Sequence, residues 1–175
     1  FFDALILRLV QRTERIQHFQ NLRDQSIGTL RFPFDECRRG QQHMMEEVYR
    51  AIVDGEQLLV QAPTGIGKTM AVILPALKTL SKGKIDRMFY LTARSTGKQV
   101  AEEAFGILLD QGLRLKTLTL TAKEKICFEV GAECNRDECN FAKGYHDRID
   151  EAITRAFESD CLSRDIIEEI ARQFM

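Results

Sequence analysis

The most informative stretch of the sequence reads Ala62-Pro63-Thr64-Gly65-Ile66-Gly67-Lys68-Thr69. A general phosphate-binding loop has a small residue, four intervening residues and then Gly-Lys-Ser/Thr. Ala62 stands at the first position, and Gly67-Lys68-Thr69 matches the last three. Glycines let successive backbone N–H groups point at phosphate oxygens. Lys68 is predicted to reach the β- and γ-phosphates and Thr69 to bind Mg²⁺, which makes them the candidate catalytic residues.

The residues on either side of this loop predict strands and helices in alternation. Gln57–Gln61 is a short apolar run, typical of a strand buried on both faces, and residues 68–80 predict a helix directly after the loop. Further strands are predicted over 87–92 and 115–121, with a helix over about 95–109 between them. Strands that alternate with helices predict a parallel α/β sheet.

More helices are predicted before and after this region. Apolar residues recur at helical spacing over 1–23 and 41–53, ahead of the loop. After Ala122 the alternation stops, and an irregular, cysteine-bearing segment runs to about Gly144. Two helices are predicted to follow it, over about 147–158 and 163–174.

The composition is that of a folded globular chain. Its 175 residues are 44% hydrophobic and 29% charged, with a net charge of −1. These values suit one domain with a small insertion and exclude a disordered chain. No stretch approaches the roughly 20 apolar residues of a membrane span, so no membrane partner is expected. Because the charge is nearly balanced, any contact with nucleic acid must depend on local basic patches.

Four motifs, in their order along the chain, resemble those of superfamily 2 DNA helicases of the XPD/DinG iron–sulfur type. The first, at 32–41, reads Phe-Pro-Phe-Asp-Glu-Cys-Arg-Arg-Gly-Gln. In that family the glutamine reads the adenine edge, which implies the same role for Gln41. The phosphate-binding loop is the second motif, and the resemblance implies a RecA-like P-loop sheet that binds ATP and Mg²⁺. The residues assigned to the nucleotide are Arg38, Gln41, Thr64, Gly65, Ile66, Gly67, Lys68 and Thr69.

The third motif reads Tyr90-Leu91-Thr92-Ala93-Arg94-Ser95 and is similar to the family's motif Ia, which touches the DNA backbone. The resemblance implies phosphate contacts by Thr92, Arg94, Ser95 and Thr96. Hydroxyls, an arginine and a helix N-terminus are common phosphate partners. Each also has a plainer interpretation, since Ser95 or Thr96 suits a helix N-cap and Arg94 a solvated surface charge. The implied partner is DNA, single-stranded or forked, and the implied direction of movement is 5′ to 3′.

The fourth motif is a cluster of cysteines. Cys127, Cys134 and Cys139 lie within thirteen residues, between Lys125-Ile126 and Asn140-Phe141-Ala142-Lys143-Gly144-Tyr145. This segment resembles the family's inserted iron–sulfur region, which is mainly helical. The resemblance implies that the three cysteines are ligands of a 4Fe–4S cluster, which is usually held by four thiolates.

The identity of the fourth ligand is open. By the same resemblance it follows a helix like that at 166–174 and lies beyond residue 175, which we favour over Cys161. A zinc site completed by His146 is the alternative metal centre. Cys37 and Cys161 are otherwise expected to be core residues, as free cysteines often are.

The motifs divide the chain into three parts. Residues 1–30 are expected to be a helical linker from an upstream region, 31–121 the first part of helicase domain 1, and 122–175 an incomplete iron–sulfur insertion. No Asp-Glu-Ala-His box occurs, so the chain alone is expected not to hydrolyse ATP. The parent protein is expected to be a bacterial, cytoplasmic, monomeric ATP-dependent DNA helicase. Two other functions stay open: a P-loop kinase with a zinc-binding lid, and a non-catalytic ATP-binding or iron–sulfur scaffold.

Overall fold

The computed structural model describes residues 2–93, 95–129, 139 and 141–174. Within it the chain forms two compact units, Phe1–Arg114 and Leu115–Met175. The predicted ligand Cys134 and the predicted DNA contact Arg94 lie outside the described residues. The predicted domain boundaries after residues 30 and 121 stay predictions.

The first unit is built from four helices, and all four were predicted. Their bounds are Phe2–Thr29 (α1), Gln41–Asp54 (α2), Lys68–Leu80 (α3) and Ser95–Asp110 (α4). The predicted helix over 1–23 is confirmed, and it continues beyond the predicted end to Thr29. In the described part of the chain, no helix combines the length and apolar character that crossing a membrane demands.

Helix α3 is the centre of the first unit. It buries apolar side chains on most of its surface, among them Met70, Ala71, Ile73, Leu74, Ala76, Leu77 and Leu80. Helix α2 packs on it through Met44 and Val48, which form one cluster with Ala71. Burying this many apolar groups fixes the position of α3, and with it the position of the loop that precedes the helix.

Helix α1 is exposed over most of its length, but its C-terminal end is held by α3. Lys78 Nζ donates to the carbonyl oxygens of Ile27 (2.5 Å), Leu30 (2.9 Å) and Gly28 (3.3 Å). These contacts place a positive charge at the negative end of the helix dipole. Burial lowers the pKa of Lys78 from its usual value of 10.5, and repulsion by Lys82 lowers it further.

Two of the predicted strands are absent from the described structure, so this part of the prediction is wrong. Residues 57–61 and 87–92 make no strand pairing, and they leave Leu59 fully exposed and Leu91 89% exposed. An apolar run indicates that a segment can be buried, but a strand forms only beside a partner that accepts its backbone hydrogen bonds.

The second unit contains the described parallel pairing. Its elements are β1 (Thr117–Leu118), α5 (Lys123–Ile126), α6 (Tyr145–Glu158), β2 (Cys161–Leu162) and α7 (Arg164–Gln173). The predicted third strand shortens to β1, which pairs with β2 in parallel. Strand β2 was not predicted, because two residues between helices are too few to show a periodic pattern. The last two predicted helices are confirmed as α6 and α7.

Candidate nucleotide-binding site

The phosphate-binding loop passes through two left-handed glycines before it enters α3. Gly65 has φ +85°, and Gly67, the N-cap of α3, has φ +80° and ψ +38°. The first helical hydrogen bond runs from Ala71 N–H to Gly67 O (3.1 Å), so the N–H groups of Lys68, Thr69 and Met70 precede it. Such N–H groups, together with the positive end of the helix dipole, form an anion site.

The loop is braced from outside by two residues of the 32–41 motif. The Arg38 guanidinium donates to Gly65 O, and Gln41 Nε2 donates to Gly67 O (3.1 Å). The other end of the Gln41 amide is also used, because Oε1 accepts from Arg38 N–H (3.1 Å). Gln41 is only 2% exposed. In this state Gln41 holds the loop, and its predicted contact with adenine stays a prediction.

Gly67 has a second reason to be glycine. A Cβ built on it would lie 2.3 Å from Gln41 Nε2, far inside van der Waals contact. The residue therefore has to accept both a left-handed backbone and the close approach of a buried amide. The sequence motif marks the glycine, but it does not reveal this neighbour.

The two candidate catalytic side chains both lie at the loop. Lys68 Nζ donates to Ala62 O (3.0 Å) and Pro63 O (2.8 Å), so its ammonium group folds back along the loop. The Thr69 hydroxyl lies 3.4 Å from the Tyr90 hydroxyl. Sequence reasoning missed Tyr90 as a neighbour of the site, because it comes twenty-one residues later. A triphosphate would offer Lys68 charged oxygens in place of two neutral carbonyls.

Comparison with known protein families gives the family of the chain. The model of the DEAD/DEAH box helicase family matches residues 38–169, which is more than half of the chain. The chain belongs to the DEAD/DEAH box helicase family. Membership implies a RecA-like P-loop fold. No solved structure matches the chain.

Curated relatives of this helicase chain are much longer than it is. A probable ATP-dependent helicase of Methanocaldococcus jannaschii is 33% identical over 114 residues, which is 65% of this chain and 17% of the relative. The 3′-5′ exonuclease DinG of Bacillus subtilis is 34% identical over 88 residues, 50% of this chain and 8% of the relative. The ATP-dependent helicase DinG of Mycobacterium tuberculosis is 52% identical over 40 residues, 23% of this chain and 6% of the relative.

A partial acidic box in this helicase chain lies in a helix. Asp150-Glu151-Ala152-Ile153 shares three residues with the Asp-Glu-Ala-His box, but isoleucine replaces the histidine. The segment belongs to α6, and both carboxylate residues are exposed. Asp150 and Glu151 therefore lie on the exposed surface of α6.

The structure describes only some of the residues that were predicted to contact DNA. Thr92 lies against the first turn of α4, since a Cβ at Gly97 would come within 2.9 Å of its Cβ. Thr96 is exposed at the same helix end. Gly97 was not singled out from the sequence, and its lack of a side chain is what lets Thr92 approach. Contacts of Thr92, Arg94, Ser95 and Thr96 with DNA stay predictions.

Two of the predicted cluster ligands lie in segments that touch. Phe128 follows Cys127, Phe141 lies two residues after Cys139, and the two rings pack with centroids 5.5 Å apart. Cys139 is buried and Cys127 is half-buried. Among the described residues, which exclude Cys134, no three His, Cys, Asp or Glu side chains form a group able to hold a metal ion.

The other candidate ligands are placed differently. Cys161 lies in β2, where it is partly buried, and His146 is exposed with its ring against that of Tyr145 (5.5 Å between centroids). Cys37 is exposed, so the expectation that it fills the core is wrong. Cys37 lies in the irregular segment ahead of α2, and its side chain is open to solvent there.

Proposed function

We propose that the parent protein is an ATP-dependent DNA helicase of the XPD/DinG iron–sulfur type that moves 5′ to 3′. The chain would supply its phosphate-binding loop and most of its cysteine ligands. The observation that carries the proposal is the loop at the N-terminus of α3, braced by Arg38 and Gln41, in a chain of the DEAD/DEAH family. The parent's activity and its partners are proposals, because the chain spans 17% or less of these relatives.

The loop supports a specific sequence of contacts with ATP. The N–H groups at the start of α3 would receive phosphate oxygens, and Lys68 would leave the carbonyls of Ala62 and Pro63 to contact the β- and γ-phosphates. The hydroxyl of Thr69 would bind Mg²⁺. Arg38 and Gln41 donate to carbonyl groups of the loop, and α2 begins at Gln41. A shift of the loop on ATP binding would therefore also move the start of α2. The 175-residue chain alone would bind ATP without hydrolysing it.

The cysteine segment supports an iron–sulfur site. The packing of Phe128 on Phe141 brings the segments of Cys127 and Cys139 together, and burial of Cys139 would shield a thiolate from solvent and oxidants. Cys127, Cys134 and Cys139 would hold the cluster, with a fourth thiolate from sequence after α7. A 4Fe–4S cluster would supply four metal–sulfur bonds that cross-link these segments.

The two other functions have less support. Membership of a helicase family favours strand separation over phosphate transfer to a small molecule. The zinc-binding lid of the kinase hypothesis would use His146, whose ring is exposed and packs on Tyr145. The scaffold hypothesis differs in activity, since it predicts no ATP hydrolysis by the parent even when DNA is present.

The direction of movement can be measured on tailed DNA. We expect the full-length parent to separate a duplex with a 5′ single-stranded tail and to leave a duplex with a 3′ tail intact, with ATP and Mg²⁺ present. A blunt duplex is the control for melting without loading. Preference for the 3′ tail would contradict the direction alone. Absence of both unwinding and DNA-stimulated ATP hydrolysis would leave the scaffold as the function.

The cluster can be measured independently of activity. We expect the full-length parent, purified without oxygen, to absorb broadly near about 400 nm and to contain about four irons per chain. Cys139→Ser should remove most of the iron, whereas the exposed Cys37→Ser should leave it unchanged. One zinc per chain and no visible absorbance would contradict the iron–sulfur assignment. That result would favour the hypothesis of a kinase with a zinc-binding lid.

A further inference from the structure

One guanidinium joins two separate segments of the second unit. Arg148, in the first half of α6, donates from Nη2 to Lys143 O (2.6 Å) and Phe141 O (3.3 Å), and from Nε to Gly144 O (3.3 Å). Its Nη1 donates to Phe174 O (3.2 Å), just after α7. Arg148 therefore contacts four carbonyl oxygens, three in one turn and one at the end of α7. Only a forked, planar group with five donors can satisfy so many acceptors in different directions.

The turn held by Arg148 is the one that follows Cys139. Ala142 N–H (3.1 Å) and Lys143 N–H (3.0 Å) both donate to the carbonyl oxygen of Cys139. Two N–H groups of the turn thus donate to Cys139, while three of its carbonyl groups accept from Arg148. Moving the guanidinium would free the turn, and the backbone of Cys139 would lose the support that fixes its direction.

The end of α7 also contacts the segment of the other described ligand. The Arg172 guanidinium lies 5.3 Å from the centroid of the Phe128 ring, in a cation–π contact. Phe128 follows Cys127 and packs on Phe141, which belongs to the turn held by Arg148. The Cys127 segment, the Cys139 turn and the end of α7 are therefore linked to one another by side-chain contacts.

We propose that Arg148 is a positioning residue for the metal site, a role that rests on the proposed iron–sulfur function. It fixes the Cys139 turn against the end of α7, and in this way it holds the backbone of Cys139, a predicted cluster ligand, in one position. Arg148 acts through the backbone of the turn and the end of α7, so it is a positioning residue rather than a ligand.

The test compares metal retention in variants of the full-length parent, purified without oxygen. Arg148→Met keeps the length of the side chain and removes all its donors. Residues outside the ligand shell commonly change metal affinity by about 10- to 100-fold. We expect Arg148→Met to release iron to a chelator about 10- to 100-fold faster than the wild type, with unchanged affinity for ATP. Arg148→Lys should lie between the two, because an ammonium can reach only some of the four carbonyls.

The matched control is Arg155→Ala, on the same helix. The Arg155 side chain is exposed and pairs with Glu158 one turn further along, so its loss should leave the release rate unchanged. Iron release from Arg148→Met at the wild-type rate would overturn the role of Arg148 while the cluster stands. A wild-type protein without iron would overturn both proposals. If Arg148→Met is insoluble, the rate of iron release from Arg148→Lys becomes the test. A wild-type rate in that variant would overturn the positioning role of Arg148.

Discussion

Lys68→Ala should lower ATP hydrolysis by the parent protein by about 10²–10³-fold. The ammonium of Lys68 is the charge that the loop can offer to the β- and γ-phosphates, and in the structure it rests on the neutral carbonyls of Ala62 and Pro63. Removing one group that stabilises transition-state charge typically lowers kcat by about 10²–10³. We expect a loss of this size in DNA-stimulated ATP hydrolysis, measured by phosphate release, and no detectable unwinding.

The control for this variant is Lys84→Ala. Lys84 is exposed four residues after α3, and it contributes its backbone N–H to the bond with Thr79 O (3.1 Å), which the substitution keeps. It removes the same charge from the same unit, so it separates a specific role of Lys68 from a change in net charge. Equal rates for Lys68→Ala and the wild type would mean that the triphosphate is not bound by this loop.

The helices and the loop could be predicted because their signals are local. Residues 68–80 show a helical pattern directly after the Gly67-Lys68-Thr69 motif, and the structure begins α3 at Lys68. Helix α2 is likewise defined by apolar residues three and four apart. The pattern and the element that it predicts lie in the same short stretch of chain, so little depends on residues far away.

The contacts that shape the site could not be predicted in this way. Arg38 and Gly65 are twenty-seven residues apart, and Gln41 and Gly67 are twenty-six residues apart. No periodic pattern connects such pairs, and the 32–41 motif pointed to adenine rather than to the loop. The role of Arg148 could not be predicted either, because a sequence does not show that carbonyl groups from two segments will meet around one side chain.

The strand predictions failed for a related reason. Residues 57–61 and 87–92 have the apolar character of buried strands, yet Leu59 and Leu91 are exposed. A strand forms only where a neighbouring strand accepts its backbone hydrogen bonds, and among the described residues the paired strands are β1 and β2. An apolar run does not encode the neighbouring strand that burial requires, because that strand is not part of the same segment.

Gly67→Ala should weaken ATP binding by roughly 30- to 150-fold. A left-handed backbone costs an alanine ~1–2 kcal/mol, and the new Cβ, 2.3 Å from Gln41 Nε2, would break a hydrogen bond worth ~1 kcal/mol. The loop would relieve this strain in another conformation, so the conformation that binds phosphate would become rare and the apparent affinity would fall with its population. Titration of the parent with a fluorescent ATP analogue measures the change.

Two further variants separate backbone strain from the clash. Gly55 has φ +72° at the end of α2, and a Cβ added there would meet nothing within 4 Å, so Gly55→Ala should lower stability by ~1–2 kcal/mol and leave ATP affinity unchanged. Gln41→Ala should weaken binding in the wild type but have almost no further effect beside Gly67→Ala, since the same bond is already lost. Strictly additive losses would show that Gln41 and Gly67 act independently, which is incompatible with a loop braced by this contact.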